Sequence, residues 1–155
     1  MVFTCFAQTI EPNLAAVLVL KVAAMEKKLG EANNGITIYV VDAPEIAREL
    51  RKVSGSTVGK TRLESVTEGP GLPAVKPDVL FVGSTENASK FIRYARQNHI
   101  LTISTYQDSF DAGTSIYLGK DESTGKSYIA LNITASKEEA LEWNPALLKI
   151  ARSTR

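Results

Sequence analysis

A chain of 155 residues normally makes one domain and is long enough to bury a full core. With 44% hydrophobic and 23% charged residues it has the make-up of an ordinary globular protein, and a net charge of +1 without a basic run excludes the footprint of a nucleic-acid binder. A single cysteine, Cys5, and a single histidine, His99, exclude an internal disulfide, a cysteine-based metal cluster and a histidine-rich metal site, and no cofactor is expected.

The chain opens with MVFTCFAQ, apolar and free of charge, which reads as the remnant of a secretory signal peptide over residues 1–8. The mature domain then runs over 9–155, starting near Gln8 or Thr9. The apolar run LAAVLVLKVAAM is interrupted by Lys21 and is too short for the roughly 20 apolar residues of a membrane span, so the domain is not expected to cross one. Leu14, Val17, Leu18, Lys21, Val22, Met25 and Leu29 recur at helical spacing, with Asn13 as the expected cap and Gly30 as the stop. Asn33-Asn34-Gly35 reads as a turn and ITIYVV as a strand buried on both faces. Asp42 and Glu45 are spaced as a capping box for the helix that follows.

Residues 54–61, SGSTVGKT, imitate a phosphate-binding loop, but only three residues separate Gly55 from Gly59 where the ring of N–H groups needs four. The order around it is helix, glycine turn, strand, the reverse of what a phosphate site requires. Gly69, Gly71 and Ala74 form a second decoy, a dinucleotide fingerprint in which Pro70, Pro73 and Pro77 forbid the helix it must open. DVLFVG is the clearest central strand, and because it ends in Gly83 a receiver-type phosphoacceptor is excluded. Ser84 and Thr85 are expected to cap a helix with Ala88, Phe91, Ile92 and Ala95 on its inner face.

ILTIS is a fourth strand of parallel type, and YQDSFDAG a connection with room for a helical turn. TSIYLGK and SYIALNI flank the turn ESTG and predict an antiparallel hairpin whose exposed edge invites pairing of two copies into a homodimer. Ser136 and Glu139 are spaced as another capping box, and Asn144-Pro145 starts a last helix, PALLKIARS. The expected fold is a single-domain α/β sandwich with a mixed sheet, parallel strands first and a C-terminal antiparallel hairpin.

Ligands in such sheets sit beyond the carboxyl ends of the parallel strands, which makes Asp42, Ser84, Thr85 and Thr105 the candidate ligand-binding residues. Each is equally explained as a cap. The acidic pairs Asp108/Asp111 and Glu138/Glu139 read as a solvated face, and no nucleophile elbow or catalytic constellation is present, so no catalytic residue is expected. Aromatic residues near the hairpin and last helix, Tyr117, Tyr128 and Trp143 with Leu147, are the candidate partner interface.

The segment Leu101-Thr102-Ile103-Ser104, Phe110, Gly113, Ile116, Leu118, then Leu131-Asn132-Ile133, Ala135 and Leu147-Leu148-Lys149-Ile150-Ala151 resembles the YfiR-like family. Val58-Gly59-Lys60 falls on a glycine turn of that family, while its usual aromatic segment after the first helix is replaced here by Glu26-Lys27-Lys28-Leu29. The resemblance implies a periplasmic, non-catalytic regulator that binds the outward-facing domain of an inner-membrane signalling protein, a diguanylate cyclase or sensor kinase, and represses or tunes it. The competing reading is a periplasmic small-molecule binding module that uses the strand-end loops.

Overall fold

The structure, a computed structural model, describes residues 9–31 and 35–154. The expected leader, with Cys5, and the Asn33-Asn34 half of the expected turn lie outside the described residues. The strands are β1 (Ile36–Val41), β2 (Thr57–Val58), β3 (Thr61–Gly69), β4 (Val79–Val82), β5 (Leu101–Ser104), β6 (Ile116–Lys120), β7 (Ser127–Asn132) and β8 (Arg152–Thr154). The helices are α1 (Pro12–Ala24), α2 (Lys27–Gly30), α3 (Pro44–Lys52), α4 (Ala88–Asn98), α5 (Gln107–Ala112), α6 (Ile133–Glu138) and α7 (Pro145–Ile150).

All eight strands join one sheet in the order β2-β3-β1-β4-β5-β6-β7-β8. The five strands from β3 to β6 in that order are parallel, and β6 and β7 form the antiparallel hairpin. This is the mixed single-domain α/β architecture expected from the sequence. β4 and β5 are buried along their whole length, as β-branched and apolar runs must be when helices cover both faces of a parallel sheet. On one face α1, α3 and Leu147 of α7 pack over Ile38, Phe81 and Ile103; on the other α4 packs Phe91 and Ile92 over Leu80 and Val82.

Several local expectations give way to tertiary contacts. Pro12 stands in the first turn of α1, so the helix starts two residues early with Glu11 as its N-cap, and Asn13 caps nothing. The helix stops at Ala24 because Glu26 turns extended and forms an antiparallel bridge with Trp143. Glu26 is 1% exposed, and its carboxylate accepts the N–H groups of Lys28, Leu29 and Glu142 at 2.8, 3.2 and 2.8 Å. One side chain thus restarts the helix as α2 and ties it to a segment 116 residues away.

The capping box at Asp42 does not form either. Ala43 is the N-cap of α3 without a side-chain bond, and Asp42 takes a left-handed conformation (φ 50), which aspartate tolerates better than most residues. At α4 the N-cap is Asn87, whose N–H donates to the Thr85 hydroxyl at 3.2 Å, while Ser84 stays exposed. The last helix ends at Ile150. Residues 152–154 extend instead along the outer edge of β7, paired to Ala130–Asn132, so that stretch of the hairpin is not the sheet edge.

Both nucleotide decoys are structural. Gly59-Lys60 is the two-residue turn of the β2–β3 hairpin (Gly59 φ 60), and the Thr61 hydroxyl donates to the Leu29 carbonyl at 2.9 Å. Gly69 lies against the Tyr39 ring, whose hydroxyl donates to the Gly71 carbonyl at 2.6 Å and pins the proline-rich loop.

The strand order reverses between β1 and β4, and there the backbones touch. A Cβ on Gly83 would lie 2.4 Å from the Asp42 carbonyl oxygen and 2.5 Å from that of Val41. Gly83→Ala must therefore push the two strand ends apart. The expected cost is about 2–3 kcal/mol, as for overpacking elsewhere. A urea titration checks it as a lower midpoint at unchanged slope, and an unshifted midpoint contradicts the contact.

Candidate functional site

The crevice at a topological switch point is where open α/β sheets usually hold ligands. Here the protein's own polar groups lace it. The Ser104 hydroxyl donates to the Val82 carbonyl at 2.5 Å and accepts the Tyr106 N–H at 3.0 Å. The Ser109 hydroxyl donates to the Gly83 carbonyl at 2.7 Å, and the Tyr106 hydroxyl donates to Glu45 at 2.8 Å. Burial first, and then the bond to Glu45, push the Tyr106 hydroxyl up to about 12, so it remains a donor at any working pH. Of the four candidates, Asp42 and Ser84 are exposed, Thr85 is half-buried and Thr105 is buried. They stand just beyond the carboxyl ends of β1, β4 and β5.

The aromatic candidates divide between the two faces of the sheet. Strand alternation puts Tyr117 and Tyr128 on one side, with ring centroids 6.0 Å apart at 64°, and Phe110 stacks on Tyr117 at 5.4 Å. Trp143 and Leu147 belong to the opposite face, where both pack against the main core. Tyr117 and Leu147 are buried, so they support a surface rather than form it. Tyr128 is half-buried and carries the Arg152 guanidinium 3.9 Å above its ring. Arg152 also pairs with Asp121 at 3.0 Å. The Ser123 hydroxyl first, then Arg152, hold the Asp121 carboxyl well below the usual carboxylate range. These residues, with Gln107 and Lys120, line an open depression of about 400 Å³. Arg152 went unrecognised because a helix, not a strand, was expected there.

Glu139 is the residue that sequence reasoning misplaced most. It neither belongs to a capping box nor to a solvated face: α6 is capped by Asn132, whose side chain accepts the Ala135 N–H at 3.0 Å, and Glu139 is 0% exposed. Its carboxylate accepts the Thr102 N–H at 3.1 Å, the Thr102 hydroxyl at 2.8 Å and the Ser115 hydroxyl at 2.6 Å. Arg96 lies near, its Nε 2.6 Å from Glu138 though not aligned as a hydrogen bond. The signal was present in the spacing, since Glu139 stands four residues after buried Ala135 and so shares its inner face. Among the described residues no group of three His, Cys, Asp or Glu side chains is placed to hold a metal ion.

Burial pushes the Glu139 carboxyl up from 4.5 to about 7, against the lowering effect of its hydroxyl and N–H donors and of Arg96. A raised folded-state value means the native protein holds a proton that the unfolded chain releases, so stability falls as pH rises from about 4.5 to 7. The whole step amounts to roughly 3 kcal/mol. Glu139→Gln is expected to remove this contribution, so the stability difference between variant and wild type should grow in the variant's favour across that window. Urea titrations at pH 5 and pH 8 measure it, and parallel profiles for both proteins contradict the assignment.

A family model described as YfiR/HmsC-like matches residues 22–152. Eight chains of solved structures match, among them the crystal structure of a conserved domain protein from Vibrio cholerae O1 biovar eltor, with a TM-score of 0.61 and 18% sequence identity. The alignment covers 93% of this chain and 60% of that one, so the chain spans less than two thirds of that neighbour, and the likeness concerns the fold alone. No curated protein matches the chain.

Proposed function

The chain belongs to the YfiR/HmsC-like family, and on that premise we propose that it is a non-catalytic periplasmic regulator. It binds the outward-facing domain of an inner-membrane signalling protein, of the diguanylate cyclase kind, and holds that protein's output down. The match over residues 22–152 is the single observation that carries this reading. The switch-point crevice is consistent with it, because the Ser104, Tyr106 and Ser109 hydroxyls there are spent on internal bonds. Among the described residues no helix is long and apolar enough to cross a membrane.

The contact surface we assign is the antiparallel end of the sheet. Tyr128 and Arg152 offer a half-buried ring under a guanidinium, a pairing favoured at interface centres, and buried Tyr117, itself stacked on half-buried Phe110, backs the ring. Lys120 and Asp121 stand at the rim of the same depression and orient the approach. Trp143, on the opposite face, takes no part in this contact.

Deletion of the gene is expected to raise cyclic-di-GMP and biofilm. The purified chain should capture the periplasmic domain of the neighbouring membrane signalling protein, and Tyr128→Ala combined with Arg152→Ala should weaken that capture by about a hundredfold, the loss of two anchors of 1–2 kcal/mol each. Circular dichroism controls for folding of the variant. Unchanged cyclic-di-GMP in the deletion strain, together with no captured partner, overturns the regulatory reading. Capture that is indifferent to the double substitution moves the contact surface elsewhere.

A further inference from the structure

The loop from β3 to β4 lacks the usual chemistry of a loop. Residues 70–77 read PGLPAVKP, and Lys76 supplies the one polar side chain among them. Val75 is 82% exposed, the most of any large hydrophobic side chain left uncovered among the described residues, and Leu72 is 43% exposed. Pro70 and Ala74 are exposed beside them. The loop is nevertheless firmly held. At its start the Tyr39 hydroxyl binds the Gly71 carbonyl. At its end the Asp78 N–H donates to the Thr37 carbonyl at 3.0 Å, and the Asp78 carboxylate accepts the Thr37 N–H at 2.8 Å. Both anchors stand on β1, and Pro70, Pro73 and Pro77 restrict the backbone of the span between them. Concentrated apolar surface of this kind marks a contact, and a loop fixed in advance loses less entropy when it is covered.

The charges around the loop identify what covers it. Lys76 is the loop's one free charge, since the Asp78 carboxylate is spent on Thr37. Helix α4 packs on the same face of the sheet as the Tyr39 ring, and it carries Lys90, Arg93 and Arg96 without an acidic residue. Arg96 pairs with Glu138, whereas Lys76, Lys90 and Arg93 form no ion pair among the described residues. Tyr128 lies on this face too, away from the main core. Four strand spacings separate β1 from β7, about 19 Å, which one interface of roughly 800 Å² per partner can span. A lipid surface fits less well, because stable anchoring there takes a long amphipathic helix or acyl chains rather than two apolar side chains and a lysine.

We propose that the loop 70–77 is a second anchor for the signalling protein's outward-facing domain, which receives Leu72 and Val75 in an apolar pocket rimmed by carboxylates. The proposal rests on the regulatory reading and gives the partner's surface its chemistry. The carboxylates at the pocket mouth meet Lys76, and those further along meet Lys90 and Arg93 of α4. The two apolar side chains supply affinity, and the unpaired cations steer the approach. The domain thus straddles α4, with the proline loop on one flank and Tyr128 with Arg152 on the other.

Binding kinetics with the purified periplasmic domain of the neighbouring membrane signalling protein test the proposal. Leu72→Ala combined with Val75→Ala should raise the dissociation constant about thirtyfold, chiefly through faster release. Lys76→Glu should slow association about tenfold at low salt, a difference that shrinks as salt is added. Melting curves of the variants should match the wild type, because the substituted side chains are exposed. If the wild-type chain does not bind the domain, the regulatory reading and the loop anchor fall together. If it binds and the loop variants bind equally well, the loop anchor alone is overturned. Unchanged domain binding with lost binding to phosphatidylglycerol vesicles assigns the loop to a membrane surface and overturns the proposal. Unchanged domain binding with lost self-association in sedimentation assigns it to a second copy and overturns the proposal equally.

Discussion

The parallel and antiparallel parts of this sheet are joined by very little ladder. β5 and β6 pair at only two positions, Ile103 with Ile116 and Ser104 with Tyr117. Where that pairing stops, the Thr102 N–H goes to the Glu139 carboxylate, and the Ser115 N–H goes to the Thr102 hydroxyl at 2.8 Å. Glu139 thus stands in for missing sheet bonds at the point where β6 diverges. A buried acid in this role is demanding. It must find donors for both oxygens, and the structure supplies three, two from Thr102 of β5 and one from Ser115 just before β6. β7, α6, α7 and β8 follow β6 in the chain, so their placement depends on this joint.

A second buried glutamate does the corresponding work a few residues further along the same segment. Glu26 joins the end of α1 to residues 142–143, and the Lys27 N–H to Glu142 carbonyl bond at 2.9 Å runs beside it. The two carboxylates share a logic, since each is bound by backbone N–H groups that no ladder or helix receives. They differ in their surroundings. Glu26 meets three N–H groups, whereas two of the three donors at Glu139 are hydroxyls that can turn to accept when the acid takes up a proton.

These internal demands shape what is left for function. At the strand ends, where related architectures hold small molecules, hydroxyls bridge one loop to the next and Gly83 lets two backbones meet. The contact surface proposed here accordingly lies further out, at the ring and guanidinium on β7 and β8. The sequence grouped Tyr117 with Tyr128, and the fold brings their rings together. Arg152 was not legible in the sequence, because its partners Tyr128 and Asp121 lie 24 and 31 residues away in the chain and nothing local marks residues 152–154 as a strand. The grouping of Trp143 and Leu147 with the tyrosines failed for a related reason. Closeness in sequence says nothing about which face of a sheet a residue after the hairpin returns to.

The sequence by itself determined the elements whose signal is local. ITIYVV, VLFV and LTIS are strands because β-branched and apolar runs suit a sheet covered on both sides, and Ala88, Phe91, Ile92 and Ala95 make a helix face because they repeat with its period. It also excluded both nucleotide motifs, since glycine spacing and proline positions are covalent facts. Only the tertiary structure decided where α1 breaks, that 152–154 pairs with β7, and that Glu26 and Glu139 are buried rather than solvated. Each of those outcomes depends on desolvation and on hydrogen-bond partners from 22 to 116 residues away, and a carboxylate carries the same local signature whether water or three protein donors surround it.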